Sequence, residues 1–113
     1  MNIALLTPAI EQKLQFKMKF RKMVPGASGC YALASFEGEV LYVGLSDDLN
    51  RRFFEHVESP DKVALTTDGR AFWFAYKLCA AKELNRTERN WMHQFADANG
   101  RLPVLNKVSS PII

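Results

Sequence analysis

The chain has 113 residues, 48% of them hydrophobic and 24% charged, and a net charge of +3. That length suits one domain able to bury its own core. Ordinary glycine and proline usage excludes a collagen-like or disordered chain, and no apolar run approaches the roughly 20 residues of a membrane-spanning helix. The opening Met1–Leu6 lacks a basic n-region and a cleavage site, so no secretory signal is expected. Cys30 and Cys79 are too few for a disulfide framework and lack metal-ligand spacing. They are expected as buried, reduced thiols of a cytoplasmic protein.

Thr7-Pro8 reads as a helix start, with Thr7 as the cap and Pro8 at the first helical position. Ile10, Leu14 and Met18 then recur at four-residue steps. Yet Leu14, Phe16, Met18 and Phe20 also alternate with Lys13, Gln15, Lys17 and Lys19, which is the strand period. Length, the cap and Pro25-Gly26 as terminator favour a helix over residues 1–24. This segment is basic: Lys13, Lys17, Lys19, Arg21 and Lys22 stand against the single Glu11. Such a patch either holds nucleic-acid phosphates or is the solvated face of a helix.

Gly29 to Gly44 reads as a hairpin. Cys30–Phe36 is β-prone, Glu37-Gly38-Glu39 supplies the turn, and Val40-Leu41-Tyr42-Val43 is the second strand. Ser46 followed by Asp47 and Asp48 marks a helix N-terminus, and Leu49, Phe53 and Val57 form that helix's core face until Ser59-Pro60-Asp61 ends it. Ala71–Leu78 is a third strand, and a last helix spans about Ala80 to Ala98 before Asn99-Gly100. The expected fold is α+β, in the order α-β-β-α-β-α. A small three-stranded, mainly antiparallel sheet is flanked by helices in one domain, with a motif-bearing core over residues 25–108.

Three groups of residues look misplaced for pure packing. Glu88 sits within the apolar stripe of the last helix, between Leu84 and Met92. A carboxylate there must be paired, hydrated or bound to a cation. A salt bridge to Arg86 or Arg89 is one reading; a ligand for a hard divalent cation is the other. Arg52 and His56 share one face of the second helix, away from Leu49, Phe53 and Val57. Either Arg52 pairs with Asp48, or it grips a phosphate with an imidazole one turn away for proton transfer. Tyr31 and Tyr42 are either ordinary cross-strand aromatics or phenols that orient or deprotonate water.

Together these positions resemble the GIY-YIG nuclease superfamily. Gly29-Cys30-Tyr31 stands for the first tripeptide and Tyr42-Val43-Gly44 for the second. Ser46-Asp47-Asp48-Leu49-Asn50-Arg51-Arg52 resembles the family's polar turn and the helix that carries its essential arginine. The match puts that role on Arg52, with Arg51 as competitor. His56 falls where the family often has His or Tyr, and Glu88 matches its metal-binding glutamate. Pro103-Val104-Leu105-Asn106 resembles the closing segment ending in an asparagine, and Met23-Val24-Pro25-Gly26 the lead-in. The similarity covers about residues 20–108. Three features depart from it: Cys30 replaces a branched aliphatic residue, Leu45 stands where many members carry a lysine, and Ala96–Arg101 is an insertion before Asn106.

The resemblance implies a metal-dependent endonuclease that hydrolyses DNA phosphodiester bonds, with RNA left open as a substrate. Glu88 would hold one Mg²⁺ or Mn²⁺ ion, Arg52 would neutralise charge on the phosphate, and Tyr42 would deprotonate water oriented by Tyr31. His56 would relay protons and Asn106 would brace the site. Lys13, Lys17, Lys19, Arg21, Lys22 and Arg51 are the expected backbone contacts, and no membrane partner is expected. A lone module cutting both strands needs two encounters or a homodimer. The alternative is an inactive nucleic-acid-binding or protein-interaction module on the same fold.

Overall fold

In the computed structural model, which describes residues 1–106, the strand period of the amino-terminal segment prevails over the helical one. Gln12–Gln15 forms strand β1, followed by a 3₁₀ turn over Met18–Met23. The basic helix expected over residues 1–24 is therefore absent. The Thr7–Pro8 bond is cis and caps no helix; both backbone groups of Thr7 bond to the Gln94 side chain. The physical reason is tertiary. The third predicted strand has an open edge, and β1 fills it while sending Leu14 and Phe16 into the core.

The sheet thus has four strands rather than three, and the amino-terminal segment, after a 3₁₀ turn at Ile3–Leu5, contributes a strand where a helix was expected. Strands β2 (Gly29–Ala34), β3 (Val40–Ser46) and β4 (Trp73–Leu78) join β1 in the spatial order β1-β4-β2-β3, every pair antiparallel. The α+β class holds. Strand β2 is central, paired on both sides and buried at all six positions, which is why its sequence is an apolar run without alternation. Gly38, at φ 95°, provides the left-handed residue that closes the β2–β3 turn.

Helices cover both faces. Helix α1 (Leu49–Val57) packs Leu49 and Phe53 onto Tyr31, Leu33, Phe74 and Tyr76. Helix α3 (Leu84–Asn99) packs Leu84, Trp91, Met92 and Phe95 onto Cys30, Ala32, Val43 and Ala75. A one-turn helix, α2 (Pro60–Val63), follows α1, so Pro60 ends one helix and starts another. The α1 cap is Asp48, whose carboxylate accepts from the Arg51 N–H, two residues later than the expected Ser46. Ser46 instead ends β3 and exchanges hydrogen bonds with the Asp48 backbone. Helix α3 starts at Leu84, after a 3₁₀ turn at Ala81–Glu83, and stops at Gly100 in the left-handed region. Ala96–Arg101, the expected insertion, forms that last helical turn, its cap and the residue after it. Both cysteines are free thiols; Cys30 is buried as expected, whereas Cys79 is only half-buried. Among the described residues, no helix is long and apolar enough to cross a membrane.

Candidate active site

The β2–β3 pair places the two tripeptides beside each other. Tyr31 is registered opposite Gly44, and Tyr42 lies one diagonal step away opposite Leu33. The two phenol rings are 6.0 Å apart between centroids. Gly44 is required by this arrangement. A Cβ there would lie 2.5 Å from the Tyr31 hydroxyl and 2.9 Å from Cε2 of Tyr42, so the glycine is the space that the phenol occupies. On the other side Tyr31 stacks on Phe74 of β4, centroids 5.1 Å apart and planes at 12°. The ring is held from both faces.

Helix α1 brings the next residues over this surface. His56 is 7% exposed and its Nε2 lies 2.6 Å from the Tyr31 hydroxyl. This corrects the sequence expectation that Arg52 and His56 both point away from the core: His56 joins Leu49 and Phe53 on the buried face of α1. The Tyr31 phenol supplies the polar partner that makes this burial tolerable. Burial, aided by the positive charges of Lys62 and Arg52, pushes His56 from 6.5 down to about 3. The imidazole is therefore neutral at physiological pH. Burial, then the neighbouring Tyr42, raises Tyr31 well above the usual phenol range, against the pull of Arg52. With both groups neutral they share one hydrogen bond: the phenol donates to Nε2 when the imidazole proton sits on Nδ1, and accepts when it sits on Nε2.

Arg52 and its neighbour separate cleanly. Arg51 is exposed and paired with Asp47 at 2.8 Å and Glu55 at 3.8 Å. Asp48 is occupied as the helix cap and does not pair with Arg52. Arg52 is half-buried and pairs with Glu55, its Nε 3.6 Å from the carboxylate. That Nε is the one buried side-chain N or O atom without a hydrogen bond among the described residues. A buried guanidinium N–H left unsatisfied is costly and is suited to an incoming anionic oxygen.

Glu88 comes from the opposite layer. It is 6% exposed within the apolar face of α3, where the stripe in the sequence put it. Of the two expected partners, Arg86 is committed to Glu83 at 2.8 Å, while the charge of Arg89 lowers the Glu88 pKa. Burial outweighs that, and Glu88 is pushed up to about 7. Its carboxylate is also felt at Tyr31, as is Arg52, so the phenol lies within reach of both charges. Among the described residues no three His, Cys, Asp or Glu side chains converge as a metal cage. One buried carboxylate suits a hard divalent ion that keeps water ligands and completes its shell with phosphate oxygens. The donor chemistry fits Mg²⁺ or Mn²⁺ in that sense.

Asn106 reaches the site from outside the sheet. Its Oδ1 accepts from the Val43 N–H at 2.9 Å and its Nδ2 donates to the Val43 carbonyl at 2.9 Å. Strand β3 is the sheet edge, and this side chain supplies the missing neighbour between Tyr42 and Gly44. The basic residues are more dispersed than expected. Lys13 pairs with Ala75 in register and its Nζ lies 4.4 Å from the Trp73 ring centroid, on the α3 side of the sheet. Arg21 lies 4.4 Å over Phe54 and bonds to Asn50, beside α1. Lys17, Lys19 and Lys22 lie in or beside the 3₁₀ turn, Lys19 with its Nζ 5.2 Å from the Phe20 ring centroid. Sequence reasoning missed Lys62, whose Nζ sits 4.9 Å from the Tyr42 ring centroid. A single lysine in a short loop helix carries no periodic signal that could have flagged it.

A model of the GIY-YIG catalytic domain matches residues 27–101 of the chain. That span holds Tyr31, Tyr42, Arg52, His56, Lys62 and Glu88 and ends before Asn106. No curated protein matches the chain.

Proposed function

Because the chain belongs to the GIY-YIG catalytic-domain family, in general a family of endonucleases, we propose that it hydrolyses DNA phosphodiester bonds as a metal-dependent endonuclease. The observation that carries this reading is Glu88: a carboxylate 6% exposed in the apolar face of α3, whose charge is felt at Tyr31 across the sheet. When bound, a divalent ion of the Mg²⁺ or Mn²⁺ type supplies Lewis-acid neutralisation of charge on the phosphate, and Glu88 is the residue that would hold it.

The chain's own groups then divide the work. The unsatisfied Nε of Arg52 donates to a non-bridging phosphate oxygen, where negative charge builds as water attacks in line and the bond to the leaving oxygen breaks. Tyr31, protonated and clamped between Gly44, Phe74 and His56, orients the water. Tyr42, half-buried beside it, would take the water's proton in its phenolate form, its own proton having passed to solvent, and the leaving oxygen would be protonated from solvent. His56 stays neutral and fixes the direction of the Tyr31 hydroxyl. Asn106 holds the backbone that carries Tyr42. The protein is proposed to act on its substrate in the cytoplasm, with a second copy or a second encounter for the other strand.

The test is cleavage of plasmid and oligonucleotide DNA with Mg²⁺ or Mn²⁺. Glu88→Ala and Arg52→Ala should lose cutting while unfolding as cooperatively as the parent. Parental activity in either variant would defeat the assignment. Binding without cutting, across metals and substrates, would turn the reading to a non-catalytic module.

A further inference from the structure

We infer that Lys62 is a substrate-binding residue that holds a backbone phosphate next to the one attacked, entering the site from α2 rather than from the tripeptides or α1. This inference rests on the nuclease reading and adds a contact to the same site.

Ser59-Pro60 restarts the chain as one helical turn immediately after α1, and Lys62 lies in that turn. The turn directs its ammonium to within 4.9 Å of the Tyr42 ring centroid, and that ring is 5.2 Å from the His56 ring in an edge-on contact. Lys62 thus stands over the ring of the residue proposed as base. Among the described residues no carboxylate forms an ion pair with Lys62, as with Lys82 and the amino-terminal lysines, but Lys62 alone of these stands against Tyr42. Lysine ammonium is strongly hydrated and mobile on its stem, and contact with a phenol face alone holds it weakly. Its charge also reaches the buried imidazole, as does that of Arg52. Lys62 and Arg52, the latter paired with Glu55, place two cations around one neutral ring. The ligand that matches is a polyanion with phosphates on successive units. The reacting phosphate takes Arg52 and its neighbour on the strand takes Lys62.

The experiment uses the full chain with three substitutions: Lys62→Met, which keeps the aliphatic cover over Tyr42, Lys62→Arg, which keeps the charge, and Lys82→Met, in the turn before α3, as a control for general surface charge. Binding of a fluorescein-labelled DNA duplex is followed by anisotropy over a salt series without divalent metal, and cleavage is followed with Mn²⁺. For Lys62→Met the slope of log affinity against log salt should shrink by about one and affinity at fixed salt should fall roughly tenfold. Cleavage should fall with it, and Lys62→Arg should restore both. A parental slope and rate in Lys62→Met overturns the inference, as does an equal slope change in Lys82→Met. Loss in Lys62→Arg as large as in Lys62→Met also overturns it, since packing on Tyr42 would then be the role. The two readings fail separately. A parent that never cuts but shows the Lys62-specific slope change removes the nuclease assignment and leaves the contact. A parent that cuts, with Lys62→Met unchanged, does the reverse. A parent that binds no duplex removes both.

Discussion

Replacing Glu88 by glutamine keeps the shape of the side chain and removes its charge, and the fold should gain stability at pH 8 as the chemistry is lost. Burial raises this carboxyl from 4.5 to about 7, with Arg89 offsetting part of the effect. A group whose folded pKa is raised holds its proton more tightly folded than unfolded. Its contribution is fully present below 4.5 and disappears as pH rises through about 7. At pH 8 the protein carries the ionised form at a cost of roughly 3 kcal/mol if water were fully excluded, reduced to ~1–2 kcal/mol by solvent screening. Thermal melts in chelator are the assay. The parent should lose stability between pH 5 and pH 8 more steeply than Glu88→Gln. At pH 8 the variant should melt higher by about 4–8 °C. Added Mg²⁺ or Mn²⁺ should raise the parent's Tm, more at pH 8 than at pH 6 because the ion displaces a proton, and leave Glu88→Gln unmoved. A variant that melts below the parent at pH 8 would show that the carboxylate's contacts outweigh its desolvation, and the argument from burial would be wrong.

Gly44→Ala places a Cβ 2.5 Å from the Tyr31 hydroxyl. Overpacking of about 1–3 kcal/mol, plus a similar cost if the Tyr31–His56 bond breaks, should lower Tm by at least ~8 °C and abolish cutting; a parental melting temperature refutes the crowding. His56 is held near 3 when folded against 6.5 unfolded, so its contribution is complete above 6.5 and is lost as pH falls toward 3. At pH 5 the loss is roughly 2 kcal/mol, and urea titrations at pH 7 and 5 should show a shallower acid decline in His56→Gln than in the parent. Asn106→Ala leaves the Val43 N–H and carbonyl without their partner. It should cost about 1–3 kcal/mol and reduce cleavage, whereas Asn106→Gln, too long for the paired geometry, should not rescue either.

Most of the candidate site's residues are legible in the sequence. The two aromatic-glycine tripeptides, the polar turn before α1 and Glu88 in an apolar stripe are local patterns, and local patterns survive without knowledge of the fold. It also determined the hairpin, both long helices and the left-handed stop at Gly100, because strand and helix periods and turn residues act over a few positions. Only the tertiary structure decided the rest. Residues 10–20 satisfy two periods at once, and the open edge of β4 selected the strand. His56 reads as a surface partner of Arg52 until the Tyr31 hydroxyl, 25 positions away in the chain, gives it a reason to be buried. Lys62 entered the site, and Asn106 closed the edge of β3, through contacts between segments far apart in sequence. Such contacts depend on which surfaces the packed elements leave open, and no short stretch of residues encodes that.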